Sequence, residues 1–145
     1  MAAPPTIIVH DLSQTLAALA AAEAAKCPVR LESARGAAGF AGAGWFKALA
    51  DEARAAHPEA MVELVLDCGS QPGLALAAIR EGISLIRLSA PARVRRKVAA
   101  IAAAEGAHLV SGRRGRVLDL LDVHDPEKAT ADWLAGASRR GGKAP

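Results

Sequence analysis

Short apolar runs alternate with longer, helix-patterned ones along this chain. Residues 6–10, 29–33, 62–67, 83–88 and 107–111 are brief stretches rich in Val, Ile and Leu, with the length and composition of strands. Helical segments fill the intervals. Asp11 followed by Gln14 reads as a capping box, which satisfies free N–H groups at a helix start, and Pro28 closes that helix near Lys26. A glycine-rich loop over 36–44 leads to a helix from about Trp45 to Ala56, ended by His57-Pro58. Pro72 fits a first helical turn, and the helix runs to Arg80 with Gly82 as its stop. Pro91 opens another that ends at Gly106.

Glu81-Gly82 and Glu105-Gly106 each precede a strand, 24 residues apart. They mark a repeating βα unit. Five strands and at least four helices in alternation predict an α/β fold with a parallel sheet. Beyond Ser111 the pattern loosens. Val117–Val123 fits a strand or a helix, and Asp125-Pro126-Glu127 starts a helix expected to end near Gly136. A single domain is expected over residues 1–136, with 137–145 as a disordered tail.

Polar positions inside the strands refine the picture. Arg30 and Glu32 share one face of the second strand, Glu63 and Asp67 one face of the third, and Arg87 interrupts the fourth. A doubly wound sheet is covered on both faces and its strands read as unbroken apolar runs. Alternating polar side chains suit the lumen of a barrel wall. The prediction is therefore a partial TIM-barrel-like sheet of about five βα units. The charges either pair with one another or face a ligand; the pattern leaves both open.

Composition adds limits. The chain has 145 residues, a formal net charge of +3 and only four aromatics, Phe40, Trp45, Phe46 and Trp133. Roughly a quarter of it is alanine, which favours close packing of small side chains. Cys27 and Cys68 are read as free thiols of a cytoplasmic protein. There is no signal-peptide pattern and no apolar run near the ~20 residues of a membrane span, so no membrane partner is expected.

Several segments, in order and with matching spacing, resemble the class II fructose-bisphosphate aldolase family. Asp11-Leu12-Ser13-Gln14 is similar to the family's first strand exit, and Pro28-Val29 to the opening of its second strand. The stretch from Ser33 to Gly42 resembles its serine- and glycine-rich loop, and Leu66-Asp67-Cys68-Gly69-Ser70 its Leu-Asp-His-Gly signature. Glu81–Ile86 resembles the fourth strand, and Asp125–Ala129 a late helix start. The resemblance implies Asp67 as catalytic acid/base. It also implies a zinc-binding histidine where this chain has Cys68. The family's fifth strand carries a glutamate-rich segment; here the residues are Leu109-Val110-Ser111-Gly112-Arg113. Its remaining metal-binding histidines and phosphate loop lie on later strands than this chain includes.

The chemistry expected follows from these departures. Zinc needs three or four converging ligands. Of the imidazoles only His10, at a strand exit, is placed to approach Cys68, so no metal ligands and no cofactor are expected. Without a metal, aldol cleavage lacks its electrophile, and no lysine sits at a strand end to form a Schiff base. Asp67 is instead read as paired with Arg30, Arg35 or Arg87, or as capping the next helix. Ser33, Arg35, Gly36, Cys68, Gly69 and Ser89 are the candidate binding residues for a substrate or anion, Asp67 the candidate catalytic residue. The basic run Arg93, Arg95, Arg96, Lys97 with Arg113, Arg114 and Arg116 could form a polyanion patch, but lacks interleaved aromatics, so nucleic acid is not the expected partner. The functional expectation is a catalytically degenerate aldolase-like domain that binds a partner or a phosphorylated metabolite. The alternative is a diverged lyase using Asp67 and Cys68. Open strand edges lead to the expectation of a homo-oligomer.

Overall fold

The βα alternation is realised in the computed structural model, which describes residues 4–110, 112 and 115–141. The elements in chain order are β1 (Thr6–Val9), α1 (Leu12–Ala25), β2 (Val29–Ser33), α2 (Ala37–Phe40), α3 (Ala43–Ala56), β3 (Val62–Asp67), α4 (Pro72–Arg80), β4 (Leu85–Arg87), α5 (Ala92–Ala104), β5 (His108–Val110), β6 (Val117–Asp119) and α6 (Pro126–Gly141). The strand order is β5-β4-β3-β2-β1-β6. The pairs β3–β4, β4–β5 and β1–β6 are parallel. Strands β1 to β5 therefore follow one another in sequence, with no switch point of the doubly wound kind. That is the order of a stretch of (βα)8 wall, and the fold is α/β with parallel βα repeats, as the sequence predicts.

The differences from the sequence reading have local causes. The strand expected over 83–88 begins only at Leu85, because the Ile83 N–H donates to the Ala78 carbonyl and ties that residue to the end of α4. The Ala107 N–H likewise donates to Ala102, so β5 begins at His108. Both are helix-closing bonds that reach back five residues. The glycine-rich loop contains a helical turn, α2. The ambiguous segment after Gly115 resolves into a sixth strand, β6, in register with β1 at Thr6↔Val117 and Ile8↔Asp119. It covers the β1 edge. Helix α6 continues past Gly136 to Gly141. Ser111, Arg113, Arg114 and residues 142–145 lie outside the described residues.

Two compact units divide the chain. The first takes the N-terminal stretch through Leu31, residues Glu52–Glu63 and the C-terminal stretch. In it α1 packs on α6, and Ala18, Ala21 and Ala22 of α1 and Leu134 of α6 are buried. The small side chains of α1 allow a close approach. The expected capping box is present but shifted: Asp11 Oδ1 accepts from Gln14 N at 2.7 Å, while Gln14 Oε1 accepts from His10 N at 2.8 Å rather than from the cap residue. The second unit takes Glu32–Asp51 and the stretch from Leu64 through β5. Its core includes Phe46, Val65, Leu66, Ile79, Ile86 and Val98. Helices α4 and α5 pack on each other and on β4 and β5, as right-handed βαβ crossovers would place them on one face of the sheet. The opposite face receives the polar residues. Among the described residues no helix is long and apolar enough to cross a membrane.

Candidate functional site

The C-terminal ends of β2, β3 and β4 all lie in the second unit, and this is the end where βα folds place their chemistry. Asp67 ends β3 in register with Arg87 of β4. Parallel neighbours in register share a face, so both point away from the helices. Asp67 is 2% exposed, and its carboxylate Oδ1 accepts from Gly69 N at 2.7 Å and from Gly36 N at 3.1 Å. Its own N–H donates to Ser33 Oγ at 2.9 Å, and that hydroxyl donates to the Ala34 carbonyl at 3.1 Å. Gly36 and Gly69 have φ of 72° and 60°, conformations an L side chain rarely adopts, and these turn both amides toward the carboxylate. One carboxylate thus fastens the β2–α2 turn to the β3–α4 turn.

Beside it lies a buried ion pair. Arg87 donates from Nη2 to Glu32 Oε1 at 2.7 Å and from Nε to Glu32 Oε2 at 2.9 Å, a two-pronged contact. The Glu32 side chain is fully buried and that of Arg87 is 12% exposed. The hydrogen bonds to Glu32 hold the Arg87 pKa above its ordinary value despite burial, and the charges of Glu32 and Asp67 add to the effect. The guanidinium bridges β2 and β4 across the intervening β3. Arg87 also donates to the Gly112 carbonyl at 3.4 Å.

Of the candidate binding residues, Ser33, Gly36 and Gly69 are gathered around Asp67. Ser89 is exposed, and its N–H donates to the Gly69 carbonyl at 2.8 Å, so it extends the same rim. Arg35 is exposed on the loop between Ser33 and Gly36. Cys68 is not brought to this cluster. Strand alternation turns it to the face opposite Asp67, where it is wholly buried with its thiol 4.0 Å from the Leu66 carbonyl. Burial, helped by the Asp67 charge, pushes its pKa up to about 12. A neutral thiol in a dry core is a packing group rather than a nucleophile or ligand. Four amides of the glycine-rich loop are also engaged internally: Ala37 donates to Ala34, Gly39 to Gly36, and Ala41 and Gly42 to Ala37.

The zinc implied by the aldolase resemblance does not fit these residues. Its ligand position holds the buried Cys68, and among the described residues no three His, Cys, Asp or Glu side chains converge as a metal site. His10 instead meets Asp119 in the first unit, Nε2 to Oδ1 at 2.6 Å. His57 contacts Glu23 at 3.3 Å, and His108 and His124 are exposed. Of the two roles left open for the strand charges, pairing is seen for Arg30 with Glu63 at 3.0 Å and for Arg87 with Glu32. Asp67 accepts from the amides of Gly36 and Gly69, and its charge also acts on Arg87.

Sequence reasoning missed Asp119, which ends β6. The acidic residue closing Val117-Leu118-Asp119 was the available signal, but the segment did not declare itself a strand. The basic run is divided as well. Arg95 turns inward to donate to the carbonyls of Leu88 and Val110, at 3.0 and 3.4 Å. Arg116 stacks over Trp133 at 5.0 Å. Arg113 and Arg114 lie outside the described residues.

Comparison with known proteins relates this α/β chain to fructose-bisphosphate aldolases. The chain is 32% identical over 89 residues to the plasmid-encoded fructose-bisphosphate aldolase of Cupriavidus necator, covering 61% of this chain and 26% of that protein. It is also 32% identical over 84 residues to the fructose-bisphosphate aldolase of Xanthobacter flavus, covering 58% and 24%. The chain spans about a quarter of the length of these relatives. Among solved structures, a candidate fructose-1,6-bisphosphate aldolase from Coccidioides immitis superposes with a TM-score of 0.61 at 24% identity, over 74% of this chain and 44% of that one. No family model matches the chain. The chain is thus related to fructose-bisphosphate aldolases over part of their length, and the structural neighbour shares its fold.

Proposed function

We propose that this chain is a non-catalytic, aldolase-related βα domain that works by binding a partner. The observation that carries this reading is the state of Asp67 and Cys68. Asp67 corresponds to the family's acid/base, but it is buried and fastened to the amides of Gly36 and Gly69. Cys68 corresponds to a metal ligand, but it is packed into the core with its thiol pushed up to about 12. A general base needs an acceptor within reach of the substrate proton, and metal-assisted cleavage needs an open coordination position. In the glycine-rich loop after β2, the amides of Gly36, Ala37, Gly39, Ala41 and Gly42 are bonded within the protein and not held open for an anion. A lyase built on Asp67 with Cys68 would need both groups on one face, and strand alternation separates them.

The test is a coupled assay for cleavage of fructose 1,6-bisphosphate, with and without added zinc, alongside thermal-shift measurements with the same compounds. The expected result is no turnover and no stabilisation by zinc with substrate. Zinc-dependent turnover that disappears in Asp67→Asn would overturn the reading.

A further inference from the structure

On the outer face of the second unit a groove of about 430 Å³ runs between α4 and α5, lined by Leu76, Ile79, Arg80, Ile101 and Glu105. Ile101 is 48% exposed, whereas Val98 and Ala102 of the same helix are buried. Residues four apart on a helix stand one above the other, so Arg93, Lys97, Ile101 and Glu105 form a single stripe along α5. The stripe is cationic at one end and aliphatic where it meets the groove.

The charge on α5 is placed against its own helix. Its first two turns carry Arg93, Arg95, Arg96 and Lys97, and its first turn has no acidic residue. The helix dipole disfavours cations there. Arg95 is accounted for by its bonds to the carbonyls that end β4 and β5. Arg93, Arg96 and Lys97 are exposed, and none of the ion pairs among the described residues includes them. Arg96 lies on the β5 side, beside Arg95 and Leu109; no contact among the described residues explains Arg93 and Lys97 on the same stripe as an exposed isoleucine. A ligand with both carboxylates and aliphatic side chains would complement them.

We propose that the α4–α5 face docks an acidic, amphipathic segment of a partner protein. Its aliphatic side chains sit on Leu76 and Ile101, over the buried Ile79, and its carboxylates face Arg93 and Lys97. This names the partner class for the binding role proposed above and rests on that reading. A nucleic acid would use the cations but leave the groove empty, and neither α4 nor α5 offers an aromatic for base stacking.

The experiment uses the full chain and a fluorescent, designed helical peptide with leucines along one face and glutamates flanking them. Controls are the same peptide with leucine replaced by serine, and a single-stranded oligonucleotide. Anisotropy at low salt should show binding of the leucine peptide alone. Binding should weaken by about tenfold or more in Ile101→Asp and in the joint variant Arg93→Glu with Lys97→Glu. The charge reversal should also leave Tm unchanged or raised, since acidic residues suit a helix start, and this separates lost binding from lost folding. The proposal fails if the leucine peptide does not bind, if the oligonucleotide binds as well and ignores Ile101→Asp, or if this face forms a dimer of the chain that Ile101→Asp dissolves. Each of these outcomes is independent of aldolase turnover, which tests the parent reading.

Discussion

Glu32 with Arg87, in the second unit, and His10 with Asp119, in the first, are contacts of nearly equal length, 2.7 and 2.6 Å. Their surroundings differ. The side chains of Glu32 and Arg87 are 0% and 12% exposed, those of His10 and Asp119 22% and 53%. Water screens the second pair and leaves the first in a low dielectric, where removing one partner strands a buried charge. Distance alone says little about what such a contact contributes; burial decides it. The same contrast separates Asp67, buried and bonded to two loop amides, from the exposed Ser89 and Arg35 on its rim.

The sharpest way to break this comparison is to remove one member of the buried pair. Arg87→Met should lower unfolding free energy in urea by about 3–5 kcal/mol, and the further change Glu32→Met should restore most of it. A loss below about 1 kcal/mol would place the pair with exposed ones. Next is Asp67→Ala, which deprives the Gly36 and Gly69 amides of their acceptor and should cost about 2–3 kcal/mol by the same measurement. Asp67→Asn, keeping one carbonyl acceptor, should cost less. If Asp67 were an unengaged catalytic group, its removal would leave stability unchanged.

Cys68 supplies a prediction in pH. Its thiol ionises near 9.0 when unfolded and at about 12 when folded, so the folded state holds the proton more tightly. The unfolded state therefore gains stability by losing that proton, and the fold weakens as pH rises from about 9 toward 12. Relative to Cys68→Ala, the native chain should show the steeper alkaline loss of Tm. With Ellman's reagent at pH 8, the half-buried Cys27 should react in the native state and Cys68 only after denaturation. The smallest effect is expected at the exposed pair: Asp119→Asn should change stability by less than about 1 kcal/mol, which urea titration can bound.

Much of the fold was legible in the sequence because its signals are local. Pro28, Pro72, Gly82 and Gly106 mark helix starts and stops, and period-two polarity marked Glu32, Glu63 and Asp67 as one-sided strand residues. The register of β6 was not legible. Its three residues carry too little pattern to separate strand from helix, and what fixes them is pairing with β1, more than a hundred residues earlier. The candidate site divides in the same way. The gathering of Ser33, Gly36 and Gly69 at the end of β3 followed from loops at the ends of adjacent strands. Cys68, counted in the sequence reading among the candidate binding residues, lies in the core instead, because the polarity of a single residue does not say which face it takes.

What the sequence by itself determined is the alternation, the parallel order and the presence of an aspartate at a strand end in an aldolase-like setting. These rest on short-range propensity and on the chain's own period. Only the tertiary structure decided the partners: Arg87 for Glu32, the amides of Gly36 and Gly69 for Asp67, the core for Cys68, and the exposed cationic stripe on α5. Partners come from distant segments brought together by strand pairing, and a linear pattern does not encode those distances. For this chain that step is what turns an apparent acid–thiol pair into a structural tie and a buried packing residue.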